Sequence, residues 1–153
     1  AVGSRAYLEG AYGAFSIDRY PAPGYVFVAA GVGITPFVGM LRTLEDRGDR
    51  RPHRLIYAAR RAGELIFKDE LDRLAAGPLD LEVTYVLSRP PEQWGGETGR
   101  VDAGLLRRRA VDDLPDHMYF VCGPDLMMDA VEAALLGLGV PLDDIHSERF
   151  ALD

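Results

Sequence analysis

The stretch "FVAAGVGITPFVGML", which runs from Phe27 to Leu41, is the strongest indicator of the fold in this sequence. An apolar run ends at two glycines one residue apart, Gly31 and Gly33, and an amphipathic helical spacing follows them. Glycine allows a sharp turn and the close approach of another molecule. Thr35 offers a hydroxyl cap and Pro36 a preset first helical position, which leaves several backbone N–H groups free. This order predicts a strand, a turn and a helix start that attracts phosphate.

Strand-like and helix-like segments alternate along the rest of the chain. We predict five strands, at 25–30, 54–59, 81–88, 118–122 and 143–150, and four helices, at 35–48, 63–77, 101–111 and 123–139. The segment 89–99, "RPPEQWGGETG", is predicted to be a loop by its Pro and Gly content. Strands that alternate with helices predict an α/β fold, with a parallel sheet and helices on both of its faces.

The composition narrows the class of protein. A chain of 153 residues with 48% hydrophobic residues fits one compact domain. Its formal net charge of -7 argues against nucleic acid as a partner. The single cysteine, Cys122, excludes an internal disulfide and indicates a reducing, cytoplasmic compartment for this domain. No apolar run approaches the ~20 residues that span a bilayer, so a membrane anchor would have to lie elsewhere in a longer protein.

The sequence contains no complete motif for several other kinds of site. The three histidines, His53, His117 and His146, have no His or Cys partners at metal-ligand spacing, so no metal site is predicted. Neither the G-x-S-x-G of hydrolases nor the G-x-x-x-x-G-K-[ST] of P-loops occurs. The dinucleotide fingerprint G-x-G-x-x-G is incomplete too, because Pro36 stands where its third glycine would be.

Three ordered motifs carry a family resemblance. "GVGITP" follows the first strand, "VCGPDLMMDAV" includes the end of the fourth, and "IHSERF" lies near the C-terminus, with "EGAYGAFSI" ahead of them all. Together they resemble the NAD(P)-binding half of the ferredoxin–NADP reductase superfamily. "LIYAARRAGELIFKDEL" and "LSRPPEQWGGETGRV" are most similar to the reductase domains of ferric-reductase-like transmembrane proteins and NAD(P)H oxidases. The resemblance implies five parallel strands in the order 3-2-1-4-5, with the loops after strands 1 and 4 side by side where ligands bind.

The resemblance also implies a set of cofactor-binding residues. These are Gly31, Gly33, Ile34, Thr35, Pro36, Arg60, Ser88, Arg89, Gly123, Pro124 and Asp125. In NADPH-using relatives a Ser–Arg pair like Ser88–Arg89 holds the 2′-phosphate, whose oxygens suit a guanidinium group. The second strand ends in Arg60 and Arg61, without the carboxylate of NAD sites. NADP is therefore favoured, but NADH-using members also carry Ser–Arg, so both nucleotides stay open.

Three residues are implied to lie where hydride moves. By resemblance, Cys122 lies beside the nicotinamide C4, while Glu148 and Phe150 lie near the flavin ring. Each has a plainer interpretation from the residue alone. A lone cysteine at a strand end is usually a small buried hydrophobe. The other two would ordinarily be a solvated charge and a core anchor.

The resemblance implies one domain of a longer flavoprotein. Residues 1–24 would be the tail of an upstream FAD-binding barrel with its connector, and residues 25–153 the NAD(P)-binding domain. The whole enzyme would be an NAD(P)H-dependent flavin oxidoreductase, which passes a hydride to FAD and electrons onward to haem, ferric iron, oxygen or an iron–sulfur partner. The FAD would be held mainly by the upstream domain, and this domain alone would be inactive. The alternative is a non-catalytic NAD(P)-sensing or regulatory module.

Overall fold

The computed structural model of the protein describes residues 13–114 and 116–149. The strands are β1 (Tyr25–Ala30), β2 (His53–Ala59), β3 (Leu81–Leu87), β4 (Glu97–Thr98), β5 (Met118–Cys122) and β6 (Ile145–Glu148). The helices are α1 (Thr35–Asp46), α2 (Lys68–Ala76), α3 (Ala103–Leu106), which continues as a π-helix over Arg107–Val111, and α4 (Asp125–Gly137). Short 3₁₀ turns occupy Ile17–Arg19, Gly31–Ile34, Ala62–Glu64 and Leu142–Asp144. In this described part of the chain no helix has the length and apolarity to cross a membrane.

All six strands are parallel and form one sheet in the order β4-β3-β2-β1-β5-β6. The predicted α/β class is confirmed, and the predicted order of five strands is the order of β3-β2-β1-β5-β6. The prediction of a loop throughout 89–99 is wrong, because β4 lies within it and pairs with Val86 and Leu87. A strand of two residues is too short to leave an alternating pattern in the sequence.

The core has one layer on each face of the sheet. Under α1 and α2, the strands contribute Phe27, Leu55 and Phe120. Under α3 and α4, they contribute Val28 and Val121. Neighbouring residues of a strand point to opposite faces, so each central strand must be apolar throughout to cover both layers. This explains why β1 and β5 were recognisable as uninterrupted apolar runs.

The second helix begins later than the sequence predicts. The segment 63–77 was expected to be helical, but α2 starts only at Lys68, after a 3₁₀ turn over Ala62–Glu64. Phe67, directly before the helix, has a left-handed backbone with φ 59°. Phe67 nevertheless precedes the buried residues Leu71 and Leu74 by four and seven positions, which is a helical spacing. The apolar pattern therefore continues across a backbone that is not yet helical.

The segment ahead of β1 packs against the sheet. The ring of Phe15 meets Phe120 edge-on at 5.2 Å, and Tyr20 stacks on His146 at 3.5 Å between ring centroids. The hydroxyl of Tyr25 donates to the carbonyls of Ile17 and Tyr20, each at 3.1 Å. This connector thus covers the α1 side of β5. The predicted barrel remnant falls largely on residues 1–12, which lie outside the described residues.

Candidate functional site

The carboxyl ends of the parallel strands meet at one edge of the sheet. The turns that follow β1 and β5 are in contact there, because a β-carbon at Gly33 would overlap the backbone of Cys122 and Gly123. Gly123 also approaches the end of β1, since its β-carbon would lie 3.2 Å from that of Ala30. The structure therefore brings together the two glycine-containing turns that the sequence singled out, at the point where the chain reverses its order across the sheet.

The turn after β1 is a 3₁₀ turn with an exposed tip. Gly31 has φ 54°, which favours glycine, and the space around its α-carbon is open. Its carbonyl accepts a hydrogen bond of 3.1 Å from the Tyr57 hydroxyl. Val32 is 67% exposed, whereas the side chain of Ile34 is fully buried. Only the backbone of Ile34 can therefore face a ligand bound at this turn.

The start of α1 differs from the expectation in two respects. The prediction that the Thr35 hydroxyl caps the helix is wrong, because the residue at the cap position is Ile34, and the hydroxyl donates to the Val32 carbonyl at 2.9 Å. Pro36 lies in the first turn, as predicted, but it has no N–H, and the Thr35 N–H already donates to the Val32 carbonyl. The donors that stay available to an anion therefore belong to the 3₁₀ turn ahead of α1, whose cap residue Ala30 forms no side-chain hydrogen bond.

Cys122 and Glu148 are neighbours across the last two strands. They are partners in the register of β5 and β6. Burial, and secondarily the charge of Glu148, raise the pKa of the Cys122 thiol to about 11. The thiol therefore stays protonated at neutral pH and is not a thiolate nucleophile. Phe150, the third residue expected here, lies outside the described residues.

The start of α4 is tied to the end of β6 by one arginine. Pro124 and Asp125 follow the β5 turn and are exposed. Arg149 binds the carboxylate of Asp125 at 3.2 Å and that of Asp129 at 2.6 Å. Sequence reasoning missed Arg149, because its partners lie at least 17 residues away along the chain and leave no local pattern. Asp125 is thus already paired with a cation in this structure.

A cationic cavity lies at the other end of the same edge. It has a volume of about 580 Å³ and is lined by Arg60, Ser88, Arg89, Gly99 and Arg100. The backbone holds these ends together: Arg89 N–H donates to the Arg60 carbonyl at 2.8 Å, and Gly99 N–H donates to the Leu87 carbonyl at 2.9 Å. The structure therefore unites the predicted residues Arg60, Ser88 and Arg89. It adds Arg100, which sequence reasoning missed because the strand before it was read as a loop.

The charges in this cavity are not neutralised locally. Across residues 13–114 and 116–149, none of the guanidinium groups of Arg60, Arg89 and Arg100 forms an ion pair with a carboxylate. Arg109, by contrast, binds Glu97 at 2.8 Å. Three unpaired cations in a protein of net charge -7 form a local site for an anion. Among the described side chains, no group of three His, Cys, Asp or Glu could hold a metal ion.

Known proteins resemble this chain in both sequence and fold. Residues 27–133 match the oxidoreductase NAD-binding domain family. The chain is 35% identical to the reductase subunit of stachydrine N-demethylase from Rhizobium meliloti, over 99% of this chain and 43% of that protein. It is 36% identical to ferredoxin–NADP reductase B from Sorangium cellulosum, over 97% of this chain and 63% of that protein.

A solved structure shows the same likeness. The flavohemoglobin from Malassezia yamatoensis with bound FAD and heme matches with a TM-score of 0.77 at 25% identity, over 92% of this chain and 36% of that one. The chain therefore spans less than two thirds of the length of each of these three proteins.

Proposed function

Since the chain belongs to the family of oxidoreductase NAD-binding domains, we propose that it binds NAD(P)H in a flavoprotein reductase of the ferredoxin–NADP reductase superfamily. NAD(P)H supplies the hydride in such an enzyme and FAD accepts it. The FAD is held by a further domain of a longer protein. A haem, ferric iron, oxygen or iron–sulfur partner then receives the electrons, and a membrane-anchored haem domain is one such partner. Ferredoxin and haem in the names of its relatives support this class of acceptor.

The carboxyl edge has the layout that an extended dinucleotide needs. Ser88 and Arg89 lie at the end of β3, the glycine turn at the end of β1, and Cys122 at the end of β5. Three spacings between neighbouring strands separate β3 from β5, or roughly 14 Å. The 2′-phosphate end of the nucleotide binds in the cationic cavity, the pyrophosphate at the glycine turn ahead of α1, and the nicotinamide beside Cys122.

Each residue of this chain has a physical role in the proposed complex. Gly33 lets the turn approach Cys122, and its lack of a side chain keeps the backbone donors accessible. The side chain of Cys122 is fully buried, so its protonated thiol would help to orient the nicotinamide ring from beneath the surface, without adding charge. Glu148 places a carboxylate beside that thiol. Orientation of this kind contributes to rate only at the reacting end of the nucleotide.

The unpaired arginines carry the proposed preference for NADPH over NADH. A 2′-phosphate would form charge-assisted hydrogen bonds with guanidinium groups that have no carboxylate partner in the described residues. To test this, NADPH and NADH are titrated by calorimetry against the wild type, Arg89→Ala and the matched control Arg61→Ala. Arg61 is exposed, adjacent in sequence to Arg60, and does not line the cavity.

We expect Arg89→Ala to weaken NADPH binding by at least about tenfold, since a charge-assisted bond is worth roughly 1.5–3 kcal/mol. NADH affinity should stay within about twofold, and Arg61→Ala should change neither affinity. Equal losses for the two nucleotides would contradict the assignment of the cavity to the 2′-phosphate. No binding of either nucleotide by the wild type would reject the proposed function.

The hydride-transfer part of the proposal rests on Cys122. In the longer protein with its FAD domain, Cys122→Ala should slow the stopped-flow reduction of flavin by about tenfold or more and leave NADPH affinity within a few-fold. A non-catalytic sensing module would bind NADPH without reducing a flavin at all. An unchanged rate of flavin reduction would show that Cys122 only packs in the core.

A further inference from the structure

We propose that Phe67, supported by Ile66, is a further binding residue of this site and forms the wall against which the adenine ring of the dinucleotide packs. The inference rests on the proposed function, since it names a contact for the same nucleotide. It concerns the turn between the cationic cavity and the glycine turn, to which the sequence assigned no binding role.

Phe67 breaks two local rules at once. Within the described residues it is the only non-glycine residue with a positive φ, at 59°. A left-handed backbone costs free energy for a residue with a bulky side chain. Phe67 also occupies the cap position of α2, where Ser, Thr, Asp or Asn would accept a hydrogen bond from the helix, and it forms no such bond. Such violations persist where the surroundings require them, and they are concentrated at binding sites.

The turn directs large apolar side chains toward solvent. Leu65 is buried, while the next two residues, Ile66 and Phe67, are 41% and 42% exposed. They add little to the core, because the contacts of α2 with the sheet are made by Leu71 and Leu74, which are both fully buried. The Phe67 ring is therefore only partly packed within the described protein, although its backbone is strained.

A buried tyrosine lies between this turn and the glycine turn. The hydroxyl of Tyr57 donates to the Gly31 carbonyl at 3.1 Å. Burial raises the pKa of Tyr57, and the nearby Ile66 backbone opposes that rise. The loop that ends at Phe67 directly follows β2, the strand of Tyr57. Ile66 and Phe67 therefore lie at the carboxyl edge of the sheet.

The same loop reaches the cationic cavity at its other end. It begins at Arg60, which lines that cavity, and it ends at Phe67. The loop is braced internally, since Arg60 N–H donates to the Glu64 carboxylate at 3.2 Å and Leu65 N–H donates to the Ala62 carbonyl at 3.2 Å. A single short loop thus presents a cation and an aromatic ring on the path between the 2′-phosphate and the pyrophosphate.

The order of the strands indicates that the adenine ring is the part of the nucleotide that this loop contacts. The loop follows β2, which neighbours β3 and its Ser88–Arg89 pair. The 2′-phosphate and the adenine belong to the same ribose, so a phosphate in the cavity leaves the adenine near this loop. The nicotinamide belongs two strands away at β5. Stacking or edge contact of a purine with an aromatic ring is a general source of affinity for nucleotides.

The decisive variants are Phe67→Gly and Phe67→Asn. Both residues accept a left-handed backbone, and Asn also supplies a cap, so neither variant should fold less stably than the wild type. We expect an equal or higher melting temperature together with about tenfold weaker binding of NADPH and of 2′,5′-ADP. Phe67→Tyr keeps the ring and is the matched control, with affinity within about twofold of the wild type.

Nicotinamide mononucleotide in its reduced form separates the two halves of the ligand. Its affinity should be the same for the wild type and Phe67→Gly. If Phe67→Gly binds 2′,5′-ADP as tightly as the wild type does, the inference is overturned while the proposed function stands. If only the mononucleotide binds more weakly, the assignment to adenine is overturned. A wild type that binds neither NADPH nor 2′,5′-ADP would overturn both proposals.

Discussion

At the amino edge of the sheet, where the strands begin, His53 and the side chains next to it form a hydrogen-bonded network, whereas at the carboxyl edge the three arginines that line the cationic cavity are exposed. His53, the first residue of β2, is fully buried, and Asp49 and Arg51 bind next to it. At the opposite edge, Arg60 and Arg89 have no ion-pair partner among the residues that the structure describes. The difference indicates that one edge stabilises the fold and that the other is kept ready for a ligand.

The amino edge forms one connected network. The Nδ1 of His53 accepts from the Tyr25 backbone N–H at 3.1 Å, which places the imidazole proton on Nε2, 3.3 Å from the Asp49 carboxylate. Asp49 also accepts from the backbone N–H and guanidinium group of Arg51. Arg51 in turn lies over the Tyr25 ring at 5.2 Å and donates to the Ala22 carbonyl at 2.6 Å. Loss of one member would leave buried partners unsatisfied.

The largest effects are expected where the two edges have their closest backbone contacts. The β-carbon of Gly33→Ala would overlap the Cys122 carbonyl, and that of Gly24→Ala, at the amino edge, would overlap the Pro52 carbonyl and the His117 ring. Backbone atoms cannot move aside as a flexible side chain can. We therefore expect each substitution to lower the free energy of unfolding by about 3 kcal/mol, measured by urea unfolding with Trp94 fluorescence.

The affinity for NADPH should distinguish the variants at these two glycines. Folded Gly24→Ala should keep NADPH affinity within about twofold, because its overlap is at the far edge, whereas Gly33→Ala should lose it. Gly39→Ala is the control, since the space around this exposed position of α1 is open and alanine should stabilise the helix by about 0.5–1 kcal/mol. If both destabilised variants bind NADPH equally well, the contrast between the edges fails.

Asp49 should matter for stability and not for binding. Asp49→Ala removes the carboxylate that accepts from the Arg51 guanidinium and from the His53 Nε2–H, so we expect the free energy of unfolding to fall by about 2 kcal/mol at pH 7. NADPH affinity should stay within about twofold. Asp46→Ala is the matched control, because this carboxylate is exposed at the end of α1 and has no ion pair within the described residues.

The effect of Asp49→Ala should depend on pH with a definite sign. Hydrogen bonds from Arg51 lower the pKa of Asp49 from an ordinary 3.8 to about 2. The unfolded chain therefore takes up this proton first, and the stabilisation is present above about pH 4 and lost as the pH falls toward 2. Urea unfolding between pH 7 and pH 3 should show the difference between the wild type and Asp49→Ala shrinking over the lower part of this range. A constant difference would show that Asp49 acts through packing alone.

Sequence could predict the parts of the molecule whose pattern is local. The apolar run 25–30, the Gly31–Gly33 turn and the positions of the five predicted strands each depend on near neighbours in the sequence. The structure confirms them, except that the last strand begins at Ile145 and not at residue 143, because a 3₁₀ turn precedes it. Arg60, Ser88 and Arg89 were found through the resemblance, and the sheet brings them together.

Other features depend on contacts that no local pattern records. β4 is two residues long and exists because β3 offers it an edge, so Arg100 was missed with it. The left-handed Phe67 lies within an apolar spacing that looks helical, because side-chain periodicity carries no information about the sign of φ. The sequence shows no relation between His53 and His117, although both are buried at the amino edge of the sheet.

The smallest effect is expected from Arg100, and it should be opposite in sign to that of Asp49. The guanidinium groups around the cavity repel one another when no phosphate is bound, since no carboxylate of the described residues pairs with them. We expect Arg100→Gln to raise the melting temperature by about 1 °C at 10 mM salt, where the Debye length is about 30 Å, and by nothing measurable at 1 M salt, where it is about 3 Å. The same variant should bind NADPH more weakly.

Arg109→Gln is the control, since Arg109 is paired with Glu97, and its loss should lower the melting temperature at low salt. A fall for Arg100→Gln as large as that for Arg109→Gln would mean that Arg100 stabilises the fold, and the two edges would then differ in location only.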